Sequence, residues 1–311
     1  PLSVLREQVR SGDEPLTSTD IAFRIAPRIN AAGRMADPTI ALAALLEGGD
    51  SILELSKLNE ERQQETERLL KMAIQETDVS SPFIFTVNAD YHPGIIGLIA
   101  GKLTEMTGHP SLVACTDGKT CTGSLRSPRG YNVVEGLGRQ SALLESFGGH
   151  AQAAGCTFTL EHAEALQQSL VADIASTVAL KEMEPTITID ATLETGDITM
   201  NLCKQLRHLE PFGQGNPEPL FLLRNVYLEE MRAIGRDKTH LQAKIAGIKA
   251  IGFGLASLIE NIQEPLDLVC KIGIDTWKGN RAPQIYIEDL SKHSNVRVSF
   301  SLSTSNGHTT T

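Results

Sequence analysis

The sequence of 311 residues lacks long hydrophobic runs and an excess of basic residues. No apolar stretch approaches the ~20 residues of a membrane-spanning helix, and no signal-peptide pattern begins the chain. Lys and Arg number 28 against 38 Asp and Glu, so the formal net charge is −10. Such a chain has no global attraction for nucleic acid or membranes, and a nucleic-acid role therefore requires local basic patches.

Cysteine is also scarce, and its spacing matches no metal or disulfide motif. The five cysteines are odd in number and form no CxxC pair: Cys115, Cys121, Cys156, Cys203 and Cys270. We interpret them as free thiols in a reducing compartment, and we expect a cytoplasmic protein. Because the chain begins with Pro1 and enters a helical pattern at once, we also expect it to be part of a longer protein.

The first region, residues 1–80, is predicted to be helical. Apolar spacing indicates helices at residues 2–9, 38–47 and 51–77, and N-cap candidates at residues 17–20 begin another that Pro27 should limit. The segment PRINAAGR at residues 27–34 places Arg28 and Arg34 around small residues, a pattern that fits phosphate binding or two surface ion pairs. The charges of the long helix indicate a solvated face: Glu60, Glu61, Arg62, Glu65, Glu67 and Arg68.

The second region, residues 81–182, alternates strands and helices, which is typical of an α/β layer structure. We expect strands at residues 83–87, 111–115, 120–125 and 156–160, and helices up to residue 106 and at residues 132–146 and 161–179.

Three donor-rich segments lie near strand or helix ends of this α/β region. His92-Pro93-Gly94 precedes a helix N-terminus, and GSLRS at residues 123–127 combines the Ser124 hydroxyl with the Arg126 guanidinium. The third segment, SFGGHAQAAG at residues 146–155, is predicted to be a turn in which Gly148 and Gly149 present backbone N–H groups beside His150. Ligands bind where such segments converge, although the glycine segment taken alone also fits a tightly packed connection.

The third region, residues 183–296, is predicted to be mostly β, as in a sandwich or a small barrel such as the OB-fold. Strands are expected at residues 186–193, 221–227, 240–245, 250–253, 266–274 and 284–287, and residues 297–311 should be disordered. Residues 232–249 contain five cations and only one acidic residue, Asp237, which gives a local charge of 5 − 1 = +4. The cations are Arg232, Arg236, Lys238, Lys244 and Lys249. They could follow a phosphate backbone, with Trp277 and Tyr286 as stacking faces or, more typically, as core residues.

These motifs together resemble the RecJ family of the DHH phosphoesterase superfamily. The matching segments occur in order along almost the whole chain: PRINAAGR, HPGIIGLIAGKL at residues 92–103, GSLRS, FGGHAQAAG and LEPFGQGNPEP at residues 209–219. The resemblance implies a helical linker, a DHHA1-type α/β domain and an OB-fold-like β-barrel domain. Leu125 stands where the family pattern has a second glycine.

The resemblance also implies a function, namely 5′-to-3′ hydrolysis of single-stranded DNA in repair and recombination. The DHH sequence that binds two Mn²⁺ or Mg²⁺ ions is missing from this chain, so no metal ligand is expected in it and the fragment should be inactive alone. By this resemblance, His150 would be catalytic and would contact the scissile phosphate from the turn formed by Gly148 and Gly149. Other residues would bind phosphate or DNA: Arg28, Arg34, His92, Ser124, Arg126, Gly148, Gly149, Arg232, Arg236, Lys238 and Lys244. Expected partners are single-stranded DNA, a single-strand-binding protein and a helicase, with no membrane.

Two other functions remain open from the sequence. One is a phosphoesterase of the same superfamily that acts on short oligonucleotides or cyclic dinucleotides, against which the OB-like region argues. The other is a non-catalytic module that binds single-stranded nucleic acid. A metal site formed by Asp90, His92, Asp117 and His150 is a further alternative, but their spacing follows no ligand pattern.

Overall fold

The chain divides into two units, with the boundary between residues 186 and 187. The structure, a computed structural model, describes residues 2–9, 16–177, 187–262, 265–276, 279 and 281–292. The expectations for Trp277 and for the tail of residues 297–311 therefore lie outside the described residues. Within these ranges, no helix has the length and apolar character needed to cross a membrane.

The first unit begins with helices, as predicted: α1 (Leu2–Val9), α2 (Ser18–Asp20), α3 (Ala26–Met35), α4 (Thr39–Leu46) and α5 (Asp50–Glu76). The Thr17 side chain accepts from the Asp20 N–H, and the Asp20 side chain accepts from the Thr17 N–H, so a capping box starts α2. A π-helical segment, Ile21–Ile25, then leads directly into α3. The expected limit at Pro27 is wrong, because the helical conformation continues from the π-helical segment through Pro27 into α3.

A five-stranded sheet follows, formed by β1 (Ile84–Asn88), β2 (Ser111–Thr116), β3 (Thr120–Arg126), β4 (Ser146–His150) and β5 (Ala153–Thr159). Its strand order is β1-β2-β3-β5-β4, with β1 and β2 parallel and the other pairs antiparallel. Three helices complete the unit: α6 (Ile96–Thr107), α7 (Val133–Arg139) and α8 (Ala163–Thr177). The helix expected at residues 132–146 is shorter than predicted, since a 3₁₀ turn (Ser141–Leu143) and then β4 replace its second half.

The two faces of this sheet are covered differently. On one face, Phe85, Leu125 and Phe158 pack in a core with residues of α7 and α8. On the other face, Val113 packs in a core with residues of α5 and α6. Because α6 packs against β2 and β3, no helix of the described residues covers the outer part of this second face, on β5 and β4.

The second unit is mainly β, in agreement with the prediction. Its strands are β6 (Ala191–Leu193), β7 (Phe221–Val226), β8 (Glu229–Ile234), β9 (His240–Ile245), β10 (Ile248–Gly252), β11 (Leu266–Asp275) and β12 (Ala282–Lys292), with α9 (Met200–Arg207) after β6. Their order is β6-β7-β11-β12-β10-β9-β8, and no pair among the described residues closes the sheet into the expected barrel.

Two strands and one aromatic residue of this unit differ from the prediction. The strand expected at residues 186–193 is shorter, because among the described residues only Ala191–Leu193 pairs with β7. Strand β8 was not anticipated, because its sequence EEMRAI lies at the sheet edge with mostly exposed side chains and no alternating apolar pattern. Tyr286 lies outside the buried core cluster, and its ring packs over Gly273, where a Cβ would come within 2.8 Å of the Tyr286 Cε2 atom.

Candidate phosphate-binding site

The open half of the first sheet brings together three of the predicted site residues. Ser124 and Arg126 occupy alternate positions of β3, so both side chains lie on the face that α6 partly covers. Ser124 is opposite Gly155, which is opposite Gly148, and Arg126 is opposite Ala153, which is opposite His150. Directly opposed residues share a face, and hence Ser124, Arg126 and His150 line one surface.

The floor between these side chains is nearly free of side-chain atoms. Gly155 and Ala153 of β5 separate Ser124 and Arg126 from the exposed edge strand β4. Neighbouring strands lie almost 5 Å apart, so the Cα atoms of Arg126 and His150 are separated by roughly 10 Å. This shallow surface can accommodate a sugar–phosphate backbone in close contact with the sheet.

The predicted glycine turn is an edge strand, and its two glycines have different surroundings. Gly149 has φ +142°, and a Cβ there would lie 2.4 Å from the Ala153 carbonyl oxygen, so the backbone requires glycine. At Gly148, a Cβ would meet no atom within 4 Å. The lack of a side chain at Gly148 is therefore not explained by packing, and it keeps the open surface flat.

The actual turn, at residues 151–152, is fixed by backbone hydrogen bonds to two other elements. The Ser127 N–H donates to the Gln152 carbonyl at 3.0 Å, and the Val133 N–H donates to the Ala151 carbonyl at 2.9 Å. The end of β3 and the start of α7 thus hold the turn that follows His150. This anchoring positions an exposed histidine that would otherwise sit on a free hairpin tip.

A cleft of about 670 Å³ adjoins this surface, between α3, the start of α6 and β3. The Arg34 Nη1 donates to the Gly94 carbonyl at 3.0 Å, which ties α3 to the segment before α6. A Cβ at Gly94 would lie 2.0 Å from the Arg34 carbonyl oxygen, so only glycine permits this approach. Its lining includes Ile29, Arg34, Gly94, Gly97, Ser124 and Arg126.

The electrostatics of the cleft are set by arginines without carboxylate partners. The Arg126 Nη1 donates to the Ser124 Oγ at 3.1 Å and to the Leu125 carbonyl at 2.6 Å. Burial, and then repulsion by Arg34, lower the pKa of Arg126. Among the described residues, no carboxylate forms an ion pair with Arg34 or Arg126. Uncompensated guanidinium groups in a cleft favour an anion, and phosphate offers several acceptor oxygens.

Arg62 of α5 belongs to the same electrostatic group, although the sequence indicated a solvated residue. Burial, and then repulsion by Arg34, lower its pKa. Its Nη2 and Nε donate to the buried Asn59 Oδ1 at 2.9 and 3.3 Å. The available signal was Asn59, a polar residue among the buried positions of α5, but only the fold reveals that α5 turns this side toward Arg34.

Two further predicted residues have local roles in the structure. The His92 Nδ1 accepts from the Gly94 N–H at 3.1 Å, so His92 orders the segment that contacts α3. Arg28 does not line the cleft with Arg34, because its Nη1 bonds to the Arg24 carbonyl within the helical segment. Leu125, at the position of an expected glycine, points into the core and is fully buried, which leaves Ser124 and Arg126 undisturbed.

The described part of the chain contains no cluster of side chains that could bind a metal ion. No group of three or more His, Cys, Asp and Glu residues with suitable geometry occurs there, and Asp90, His92, Asp117 and His150 form no such group. Asp117 instead accepts from the backbone N–H groups of Lys119 and Thr120. The residues present therefore do not fit a two-metal site.

The predicted basic stretch of the second unit is only partly available for an anion. Lys244 pairs with Glu230 at 2.8 Å, and Lys249 pairs with Asp275 at 3.0 Å. The sequence count of +4 missed these acids, since both lie outside residues 232–249. The Arg232 Nη2 donates to the Gln242 Oε1 at 3.2 Å, and Arg236 and Lys238 are exposed on the loop between β8 and β9.

Comparison with protein families assigns both units. Residues 80–176 match the family model of the DHHA1 domain, and residues 189–289 match that of the RecJ OB domain. The expected order of a helical region, a DHHA1 domain and an OB domain is thereby confirmed.

Curated relatives cover nearly the whole chain. It is 31% identical over 287 residues to the single-stranded-DNA-specific exonuclease RecJ of Bacillus subtilis, a match that covers 87% of this chain and 36% of the relative. A protein of the same name from Thermus thermophilus is 31% identical over 282 residues, covering 88% of this chain and 40% of the relative. The chain thus spans less than half the length of these two relatives.

The solved structures agree with the sequence comparison. The crystal structure of RecJ in complex with Mn²⁺ from Thermus thermophilus matches with a TM-score of 0.81 and 28% identity, covering 94% of this chain and 44% of that one. The corresponding Mg²⁺ complex matches with a TM-score of 0.78. With both domain types in family order and relatives aligned along almost its full length, the chain belongs to the RecJ family, of which it represents the part with the DHHA1 and OB domains.

Proposed function

We propose that this chain is the substrate-binding part of a RecJ-type exonuclease that degrades single-stranded DNA from its 5′ end. The observation that carries the proposal is a group of arginines that have no carboxylate partner among the described residues, beside a sheet surface floored by glycine and alanine. The names of the relatives, single-stranded-DNA-specific exonuclease, support the same substrate class. Such a protein acts in DNA repair and recombination.

Different residues of the site bind different parts of the DNA strand. Ser124, Arg126 and Arg34 bind the 5′-terminal phosphate, because charge-assisted hydrogen bonds from guanidinium groups and a hydroxyl fit its oxygens. The backbone crosses the floor at Gly155 and Gly148 toward His150. His150 contacts the next phosphate, where a donor stabilises the negative charge that develops during hydrolysis.

Divalent metal ions enter the proposal from outside the described residues. The similar crystal structures contain Mn²⁺ or Mg²⁺, which in a two-metal site supply an activated water and stabilise the leaving oxygen. The described residues offer no such ligand group, so the chain should bind DNA without cleaving it. The family resemblance alone supports a cytoplasmic location and the partners expected in repair, a single-strand-binding protein and a helicase.

The binding role can be tested with the 311-residue chain and two oligonucleotides that differ only in a 5′-phosphate. We expect tighter binding of the phosphorylated strand, and Arg126→Ala should remove roughly tenfold or more of that preference. Arg129→Ala, an exposed arginine just beyond β3, is the matched control and should retain it.

Three results would contradict the proposal. Equal binding of both oligonucleotides by the wild type would remove the terminal-phosphate site. Metal-dependent cleavage by the chain alone would refute the division between binding and catalysis. Binding of a dinucleotide as tightly as a long strand would favour a phosphoesterase of short oligonucleotides instead.

A further inference from the structure

Phe253, directly after β10, is a fixed aromatic side chain that is 64% exposed to solvent. Its ring lies 5.3 Å from the His240 ring, with an interplanar angle of 75°, an edge-to-face contact. An exposed aromatic ring of this size loses the free energy that burial would provide. The contact with His240 holds the ring in place without covering it.

The support beneath Phe253 is itself ordered by backbone contacts. The His240 Nδ1 accepts from the Gly254 N–H at 3.1 Å, which orients the imidazole ring. Gly235 has φ +93°, and a Cβ there would lie 3.0 Å from the His240 Cδ2 atom. The Ala256 N–H donates to the Thr239 carbonyl at 3.1 Å, so the segments on both sides of the ring pair are joined.

The position of the ring pair places it on the polar face of the second sheet. Leu241 and Gly252 are paired in the β9–β10 register, and His240 and Phe253 are the next residues outward. The buried side chains of Leu241 and Ala243 define the core face, so His240 shares the opposite face with Gln242. Arg232, opposite Gln242 on β8, shares that face.

Cations lie on β8 and on the loop that leads from β8 to His240. Arg232 lies on the same face, and the loop from Gly235 to His240 carries Arg236 and Lys238 with the acidic Asp237 between them, so that the three cations outnumber this acid. None of these three cations forms an ion pair with a carboxylate of the described residues, whereas Lys244 and Lys249 on the neighbouring strands do. The aromatic ring thus lies at the end of a sheet face that keeps unneutralised positive charge.

We propose that Phe253, held by His240, is a stacking site for one base of a single-stranded nucleic acid whose phosphates are neutralised by Arg232, Arg236 and Lys238. Every base offers a π-face, and an exposed ring beside cations matches a chain that alternates bases and phosphates. The site rests on the proposed substrate class, but it lies in the second unit and uses none of the residues that bind the terminal phosphate.

The test uses the whole 311-residue chain with a dT oligonucleotide and an abasic oligonucleotide of the same length and 5′ end. The wild type should bind the dT strand on the order of fivefold to a hundredfold more tightly than the abasic strand. Phe253→Ala should lose this base preference, and Phe253→Trp should keep it. Tyr227→Ala is the control, because Tyr227 is 54% exposed in the same unit and lies apart in the chain, between β7 and β8.

Failure of this site and failure of the proposed function give different results. If Phe253→Ala keeps the full base preference, or if the wild type binds both strands equally, the stacking site is refuted while the exonuclease proposal stands. If the wild type binds neither strand, the proposed substrate class is refuted and the stacking site with it. A thermal midpoint of Phe253→Ala close to that of the wild type is expected, since the ring is not in the core.

Discussion

At the scale of single residues, the clearest contrast is between Gly148 and Gly149 of β4. Gly149 is required by its positive φ and by the contact that any Cβ would make with the Ala153 carbonyl oxygen at 2.4 Å. Gly148 has free space above it, and its missing side chain leaves the proposed path of the DNA backbone open. Gly149 thus supports the fold, and we propose that Gly148 keeps the surface open for the ligand.

Alanine substitutions should separate these two roles. Gly149→Ala should lower the free energy of unfolding by about 2 kcal/mol or more, because the backbone or the β4–β5 pairing must shift. Gly148→Ala should leave stability within about 0.5 kcal/mol of the wild type and weaken binding of single-stranded DNA. Urea unfolding followed by circular dichroism and oligonucleotide binding check both. If Gly148→Ala bound DNA normally, the flat floor would have no role.

The sequence was sufficient to predict candidate site residues whose chemistry lies within one short segment. Ser124, Arg126 and His150 were identified in this way, and the sheet brings them to one face. Arg62 and Phe253 were not found, because their significance depends on neighbours distant in the chain, Arg34 and His240. Lys244 was overvalued for the same reason, since Glu230 neutralises it across the strand pair.

At the scale of elements, the contact between α3 and the segment before α6 forms the cleft. Gly94 lies directly against the Arg34 carbonyl, while the Arg34 side chain bonds back to the Gly94 carbonyl. The same glycine therefore fixes the distance between two elements and the position of Arg34, the arginine that we propose binds phosphate.

Gly94→Ala should disturb both properties together. The added Cβ, 2.0 Å from the Arg34 carbonyl oxygen, must push α3 away, at a cost of about 2 kcal/mol or more. The preference for a 5′-phosphorylated strand should also fall, because Arg34 moves with α3. Gly101→Ala, in α6 with no atom within 4 Å of its Cβ, is the control and should lower neither quantity. A normal phosphate preference in Gly94→Ala would separate Arg34 from the site.

A second contact between elements ties α7 to α8 through Asp173. Its carboxylate accepts from the Tyr131 hydroxyl at 2.7 Å and from the Arg139 Nη2 at 2.8 Å. Burial alone would raise the pKa of Asp173, but the hydrogen bonds from Arg139 and Tyr131 outweigh it and lower the pKa. The charged carboxylate therefore stabilises the first unit.

This contact predicts a defined loss of stability in acid. Since the folded pKa of Asp173 is lowered, its contribution is complete above the unfolded value of about 3.9 and is lost as the pH falls through the folded value. Asp173→Asn should cost about 2 kcal/mol at pH 7 and flatten the fall in unfolding free energy below pH 4. Urea titrations between pH 3 and 7 measure this, with Arg139→Gln as the partner variant. An unchanged acid slope in Asp173→Asn would exclude the role.

Helices and strands could be predicted from the sequence where the apolar pattern repeats. They could not be predicted where glycine residues interrupt this pattern. The long helices and the buried strands β1 to β3 follow from their spacing, whereas SFGGH has too few side chains to show a strand period. Its pairing with β5 along five residue positions makes it a strand. A turn prediction from two adjacent glycines was therefore reasonable locally and wrong in the sheet.

At the scale of the whole molecule, an acidic chain must bind a polyanion through local groups. The formal net charge is −10, yet the cleft and the β8–β9 loop each keep arginine or lysine side chains without acidic partners among the described residues. Most other charges of the long helix are neutralised in place, as in the pairs Glu65–Arg68 and Glu67–Lys71. Binding strength should therefore depend on few cations and not on total charge.

The salt dependence of DNA binding measures directly how many cations contact phosphates. For a single strand, log K falls with log[salt] with a slope near −0.7 per phosphate contact. Arg126→Ala and Arg236→Ala should each reduce the slope by about 0.7, if both units contact one strand. Lys71→Ala also removes one positive charge, but Glu67 already pairs with it at 2.8 Å, so its slope should equal that of the wild type. Equal changes in all three variants would show that net charge, and not these local contacts, governs binding.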